Sequence, residues 1–394
     1  MALLFEPLTI RNKTIRNRIC LPPMVIGSFS DETGMVTRNN IEHYASFAKG
    51  GVGLIIQEST SPSTYGKVAE DQLGIWHDDH IPGHRRIVEA VHAAGAAIVM
   101  QLCHAGVTAI EEETFCPSAY SCTKNDRFRT GTPLTPEHIR KLQDDFVNGA
   151  VRAWKAGYDG IELHGAHRYL ICQFLNKRVN KRDDRYGRDR TLFAIEMVRR
   201  IRKLVPEDFI LGIRLGAFEP TLEDGIAHAV KLAGNGFDYL NISYGCTGEF
   251  DSCVPGDYPF KDVIYAAGEI KKHVGVPVFA VNGIRTPESA ESILKVTGVD
   301  AVNIGRSMLV NPNWANDAIA SADPGRCLEC RGCQWHKEPP KCPGRKLLIK
   351  KRSRAAAAAA EQPGTTDIHA AGVPSDDEMS RKTLNLPSAD SRLP

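Results

Sequence analysis

Eight short apolar runs recur along this chain, and most are followed by a stretch whose apolar residues keep helical spacing. The runs fall at residues 17–21, 52–56, 97–102, 160–164, 209–215, 239–243, 277–281 and 301–304. Helical patterns lie between them: one that Thr37 can cap and Gly50 ends, one from Pro82 to Ala94, and one that Pro136 opens, carrying Ile139, Leu142, Phe146, Ala150 and Ala153. Further helical patterns follow at 222–233, 260–272 and 287–296. Strands alternating with helices make parallel βαβ units, and a count of eight favours closure into a (β/α)₈ TIM barrel. The competing architecture is an open doubly wound sheet. Its nucleotide-binding form places G-x-G-x-x-G after the first strand, and that fingerprint does not occur here.

Composition narrows the function. With 42% apolar and 24% charged residues over 394 positions the chain can form a large core, and a net charge of +2 gives no reason to expect nucleic acid. The basic run from Arg345 to Arg354 reads as a solvated domain edge. No leader pattern opens the sequence and no run approaches eighteen apolar residues, so neither export nor a membrane is expected. Seven of eleven cysteines are scattered, which suits a reducing cytoplasm, while Cys327, Cys330, Cys333 and Cys342 crowd together. Beyond about Lys351 come six alanines and then a Pro, Ser, Asp and Thr mixture, expected not to fold. The expected organisation is therefore a barrel over 1–322, a Cys-rich segment over 323–350 and a tail over 351–394.

In a barrel the strand ends share one face, and chemistry gathers there. The richest end is the stretch 157–187, GYDGIELHGAHRYLICQFLNKRVNKRDDRYG, in which a strand runs into Gly165-Ala166 and delivers His164, His167 and Tyr169 within six residues. Two imidazoles can donate hydrogen bonds and a phenol can supply a proton. Capping of the strand end and packing on the core would account for the same residues. Gln101 offers a donor and an acceptor side by side, matching a flavin's pyrimidine edge. Arg214 would stabilise the charge a reduced flavin gathers, or else pair with Glu162 or Glu58 at the barrel mouth. The turns at Asn282-Gly283-Ile284-Arg285 and Gly305-Arg306 could hold a phosphate.

Several motifs resemble the Old Yellow Enzyme family of FMN-dependent barrel oxidoreductases: LFEPLTIRNKTIRNRICLPPM, GGVGLIIQEST, LGIWHDDHIPGHRRIVEAVHAAGAAIVMQLCHAG, the stretch 157–187, FAVNGIRTPE and NIGRSMLVNP, covering roughly residues 1–345. The resemblance implies FMN contacts from Pro23, Met24, Gln101, Arg214, Gly283, Gly305 and Arg306, with Val25, Glu58, Asn282 and Ile284 beside them. It implies that His164 and His167 bind a substrate oxygen and that Tyr169 donates a proton. The activity implied is reduction of an activated C=C bond. Arg168 stands where the family usually has glycine, so a narrower or anion-tuned pocket is expected. Val25 replaces a residue that often hydrogen-bonds the flavin, and after Gly187 the chain is a few residues shorter than the usual pattern. The FAD- and NAD(P)H-binding domains of the larger reductases do not follow. Electrons are therefore expected from NAD(P)H at the flavin, or from an electron-transfer flavoprotein or ferredoxin.

The four crowded cysteines read C-x₂-C-x₂-C-x₈-C-P. Three thiolates on one loop and a fourth returning fit a [4Fe–4S] cluster, and zinc would accept the same sulfurs. The resemblance points to the iron–sulfur branch of the family, typified by 2,4-dienoyl-CoA reductase and enoate reductase, although its usual spacing is longer. Other readings are an amine or N-methyl dehydrogenase, a non-catalytic redox sensor, and a zinc-stapled barrel without flavin.

Overall fold

In the computed structural model, which describes residues 2–27, 29–124, 127–246, 254–335 and 338–360, eight parallel strands close into a barrel. They are β1 (Ile19–Leu21), β2 (Leu54–Thr60), β3 (Ala97–Leu102), β4 (Gly160–Gly165), β5 (Ile210–Gly216), β6 (Tyr239–Ser243), β7 (Val278–Ala280) and β8 (Ala301–Asn303). Each expected strand is present, and the (β/α)₈ reading holds. The helices start where threonine signals them. Thr37 and Thr221 form capping boxes with Asn40 and Asp224, and Thr135 Oγ1 accepts from the His138 amide at 3.2 Å. Each cap satisfies an amide that the first turn leaves without a helical partner.

Strand register decides which side chains meet inside. Gln101 pairs with Glu162 across β3 and β4, His164 with Arg214 across β4 and β5, and Gly216 with Ser243 across β5 and β6. Because side chains alternate along a strand, Glu162 and His164 share a face, as do Tyr239, Asn241 and Ser243. The opposite end of the barrel is apolar. There an antiparallel hairpin, Leu8–Ile10 with Lys13–Ile15, brings Leu8, Ile10 and Ile15 against Cys20, Leu54, Ile56, Val99, Ile210, Tyr239 and Phe279. The hairpin has no counterpart in the sequence reading, and its plug leaves the C-terminal mouth as the polar end.

The connection after β3 also carries structure that the sequence reading leaves as a long link. It forms a three-stranded sheet of Phe115–Cys116, Tyr120–Lys124 and Arg127–Pro133. Residues 1–349 make one unit. Within it Arg345 donates to the carbonyls of Val310 at 3.2 Å and Leu309 at 2.9 Å, tying the segment after the crowded cysteines to the last barrel helices. The expectation of a tail that does not fold from Lys351 is corrected over residues 351–360. These lie in the helix Pro343–Ala360, as alanine's high helix propensity favours. Residues 361–394 lie outside the described residues. Among the described residues no helix is long and apolar enough to cross a membrane.

Candidate active site

The chain leaves β4 through a tight turn in which His167 and Arg168 both take positive φ, 56° and 64°. Such a turn is where glycine would be least strained. Here two bulky residues occupy it, held by the bond from the His167 amide to the Tyr244 carbonyl at 3.0 Å and by Arg168 Nη1 donating to the Thr123 carbonyl at 3.3 Å. The turn aims three rings at one another. The His164 and Tyr169 ring centres lie 4.8 Å apart, His164 and His167 5.0 Å, and His167 and Tyr169 6.4 Å.

Hydrogen bonds fix the tautomers of the pair. The Ala166 amide donates to His164 Nδ1 at 3.3 Å, so in the neutral ring the proton sits on Nε2. That nitrogen is 3.3 Å from His167 Nδ1, and His167 Nε2 lies 2.7 Å from Ser243 Oγ. Burial pushes each ring well below the ordinary histidine range, and at His164 the penalty of a second charge on His167 and the Arg214 charge add to this, as Arg214 does at His167, so both imidazoles are neutral at neutral pH. Neutral imidazoles remain N–H donors. Burial also raises the Tyr169 phenol, so it keeps its proton at neutral pH.

Beneath the rings lies a buried polar layer. The Glu162 carboxylate accepts from Gln101 Nε2 at 2.7 Å, Tyr239 Oη at 3.0 Å and Asn241 Nδ2 at 2.9 Å. Burial raises its pKa, and Arg214's charge and these three donors oppose the rise. Arg214 donates from Nη2 to Ser243 Oγ at 3.2 Å, so it answers Glu162 through the field rather than through a direct ion pair. Two buried atoms of this layer have no protein partner: Arg214 Nε and Asn303 Oδ1. Leaving such groups unmet costs about 1–3 kcal/mol each. Both residues line a cleft at the barrel mouth. A donor and an acceptor without protein partners fit the hydrogen-bonding edge of an isoalloxazine ring. The sequence reading passed over Asn303, whose only signal is its place at the end of β8.

The cleft encloses about 260 Å³. Of the expected cofactor residues, Pro23, Met24, Arg214, Asn282, Gly283, Ile284, Gly305 and Arg306 line it, together with His167 and Ser243. Gly305 sits in close contact: a Cβ there would stand 3.1 Å from Met24 Sδ and from Pro22 Cγ, so either neighbour would have to give by a few tenths of an ångström. At the rim Asn282 and Gly283 take positive φ, 91° and 75°. Arg285 and Arg306 converge on one carboxylate, Glu329, at 2.9 and 3.0 Å. A carboxylate bridging two guanidinium groups marks a place suited to a phosphate.

Gln101, Val25 and Glu58 do not line this cleft. Gln101 is committed to Glu162. Glu58 acts on the chain rather than on the cleft: its Oε2 accepts from the Ile26 amide at 2.9 Å and its Oε1 from Tyr44 Oη at 3.0 Å. It thereby holds the loop that presents Pro23 and Met24.

Of the four crowded cysteines, Cys342 is buried, Cys327 half-buried, and Cys330 and Cys333 exposed. No three of their sulfurs lie within 4.8 Å of one another as described. Their loop does show one feature of thiolate sites, the Glu329 amide donating to Cys327 Sγ at 3.4 Å.

Residues 3–321 match the NADH:flavin oxidoreductase / NADH oxidase family. An NADH oxidase from Thermoanaerobacter brockii is 38% identical over 347 residues, covering 84% of this chain and 52% of the relative, so the chain spans about half that protein's length. An NADPH dehydrogenase from Geobacillus sp. is 35% identical over 79% of this chain and 92% of its own. Among solved structures, the Old Yellow Enzyme homologue from Zymomonas mobilis superposes with a TM-score of 0.71 at 25% identity, covering 86% of this chain and 99% of its own. Morphinone reductase superposes at 0.68 with 26% identity, covering 83% and 93%.

Proposed function

The chain belongs to the NADH:flavin oxidoreductase / NADH oxidase family and is an FMN oxidoreductase of Old Yellow Enzyme type, and from that premise we propose that it reduces a C=C bond activated by a neighbouring carbonyl. Bound FMN would supply the hydride for such a reduction. The residues that would hold it are Arg214 and Asn303 at the ring edge, Pro23 and Met24 against the ring, and Gly283, Gly305 and Arg306 at the phosphate, with Arg285 beside them.

The observation that carries this reading is the neutral imidazole pair beside a protonated phenol. His164 carries its proton on Nε2, as the Ala166 amide requires, and this N–H, 3.3 Å from His167 Nδ1, can pass to a substrate carbonyl oxygen and stabilise the negative charge that builds there. His167 is held by Ser243, so it turns from that hydroxyl when it shares the oxygen. Tyr169 holds the proton for the α-carbon. Arg214, a permanent cation bonded to the Ser243 hydroxyl that also meets His167, favours an electron-rich oxygen over a substrate ammonium beside these rings. Anaerobic turnover of 2-cyclohexenone with NADPH tests the reading. Saturated ketone is expected; flavin reduction by NADPH with no ketone formed under any condition counts against it.

We further infer that Cys327, Cys330, Cys333 and Cys342 bind a [4Fe–4S] cluster, on the support of their spacing and of the amide bond to Cys327 Sγ. Such a cluster passes single electrons, which would let an electron-transfer flavoprotein or ferredoxin feed the flavin. Cys330→Ser should remove bound iron and leave FMN in place; unchanged iron would exclude Cys330 as a ligand.

A further inference from the structure

Among the described residues one group of three metal-ligating side chains brings its ligand atoms within 4.8 Å of one another, and it belongs to neither site above: Cys172, Glu219 and Cys246. They come from three neighbouring connections at the barrel mouth. Cys172 sits in the short helix Leu170–Leu175 after β4, Glu219 in the loop after β5, and Cys246 just beyond β6. All three are fully buried. Two thiols and a carboxyl group are withdrawn together from water, the Cys172 thiol and the Cys246 amide both donating to the Glu219 carboxyl group, and a cation that all three can ligate would take the place of the thiol protons between them.

The spacing is that of a small soft cation. Cys172 Sγ lies 3.0 Å from Glu219 Oε1 and 3.5 Å from Cys246 Sγ. Sulfurs about 2.3 Å from one zinc ion at tetrahedral angles stand about 3.8 Å apart, so binding requires shifts of a few tenths of an ångström. Asn176 Nδ2 donates to Glu219 Oε2 at 2.8 Å, leaving Oε1 turned to the sulfurs. Backbone presses on that oxygen from two sides, since a Cβ at Gly216 would stand 1.9 Å from Oε1 and one at Gly245 2.0 Å. Cys116 and Cys122 are buried in the same cluster, bringing further thiols from the three-stranded sheet to the edge of the site.

We propose that Cys172, Cys246 and Glu219 bind one zinc-class divalent cation, releasing the two thiol protons to solvent. The site ties together the connections after β4, β5 and β6. Cys172 lies one helical turn beyond Tyr169, so the cation would also fix the segment that carries the phenol. It depends on neither the flavin nor the Cys327–Cys342 segment.

The test separates the two cysteine sets. The full chain carrying Cys330→Ser and Cys333→Ser, grown with zinc and dialysed against a weak chelator, is expected to retain one zinc per chain by elemental analysis. Adding Cys172→Ala and Cys246→Ala should remove that zinc, and Glu219→Gln should weaken it by about tenfold or more in competition with a chromophoric chelator. Should the four-substitution protein fail to fold, zinc X-ray absorption on the two-substitution protein still decides, with sulfur and oxygen ligands expected. No zinc in that protein, an unchanged count after loss of Cys172 and Cys246, a ligand shell without sulfur, or a Cys172–Cys246 disulfide in the purified chain would each overturn the proposal.

Discussion

Oε1 of Glu329 lies 3.0 Å from Nη2 of Arg306, so an acid from the crowded-cysteine loop neutralises a base at the rim of the flavin cleft. Oε2 of the same residue reaches Arg285 at 2.9 Å. One carboxylate thus couples the cysteine segment to the turns after β7 and β8.

Glu329 and a cofactor phosphate compete for the same two guanidinium groups. Glu329→Ala should therefore tighten FMN binding, by up to about fivefold because exposed ion pairs are worth about 0–1 kcal/mol. Arg306→Ala should weaken it by about tenfold or more, the scale of one lost charged hydrogen bond. Flavin fluorescence quenching on the apoprotein reads both.

His164 has its proton held on Nε2 by the Ala166 amide, whereas His167 has to leave a 2.7 Å contact with Ser243, so His164 should matter more than His167. His164→Ala is expected to lower the rate of enone reduction by about 10²–10³, as for other oxyanion donors. His164→Asn, which keeps an N–H, should recover part of that loss. Steady-state kinetics with one enone checks the order.

Glu58 should make stability depend on pH. Burial raises its carboxyl to about 7, opposed by bonds from the Ile26 amide and Tyr44, with Asp71 adding to the rise. An unfolded glutamate titrates near about 4.3, so the folded chain binds the extra proton between these values. Stability from this group is complete below the unfolded value and is lost as pH rises through about 7. Urea unfolding from pH 5 to 8 should show that decline, and Glu58→Gln should make it shallower.

The barrel was legible because each βα unit carries its own local signals: apolar runs of strand length, a proline or threonine at a helix start and a glycine past its end. The line Cys172–Glu219–Cys246 was not legible, because its members lie up to 74 residues apart and meet only through barrel closure. The hairpin Leu8–Ile15 escaped for a different reason. Its two strands are three residues each, too short for an alternating pattern to stand out. In the site, the cluster of His164, His167 and Tyr169 could be read from sequence because one turn delivers it. Asn303 could not, since a lone asparagine in a strand reveals nothing until closure of the barrel brings it across β7 to Asn241, to which it donates at 3.0 Å. Glu58 is legible as a polar residue at a strand end, but its bonds to the Ile26 amide and Tyr44 hydroxyl appear only in the fold.

In the proposed reaction Tyr169 gives up a proton to a substrate held by neutral imidazoles. Stopped-flow mixing of the reduced protein with 2-cyclohexenone tests it most directly, comparing the native chain with Tyr169→Phe. An oxidative half-reaction slower by about 10²–10⁴ is expected, with the reductive half-reaction unchanged. Equal oxidative rates in the two proteins would contradict it.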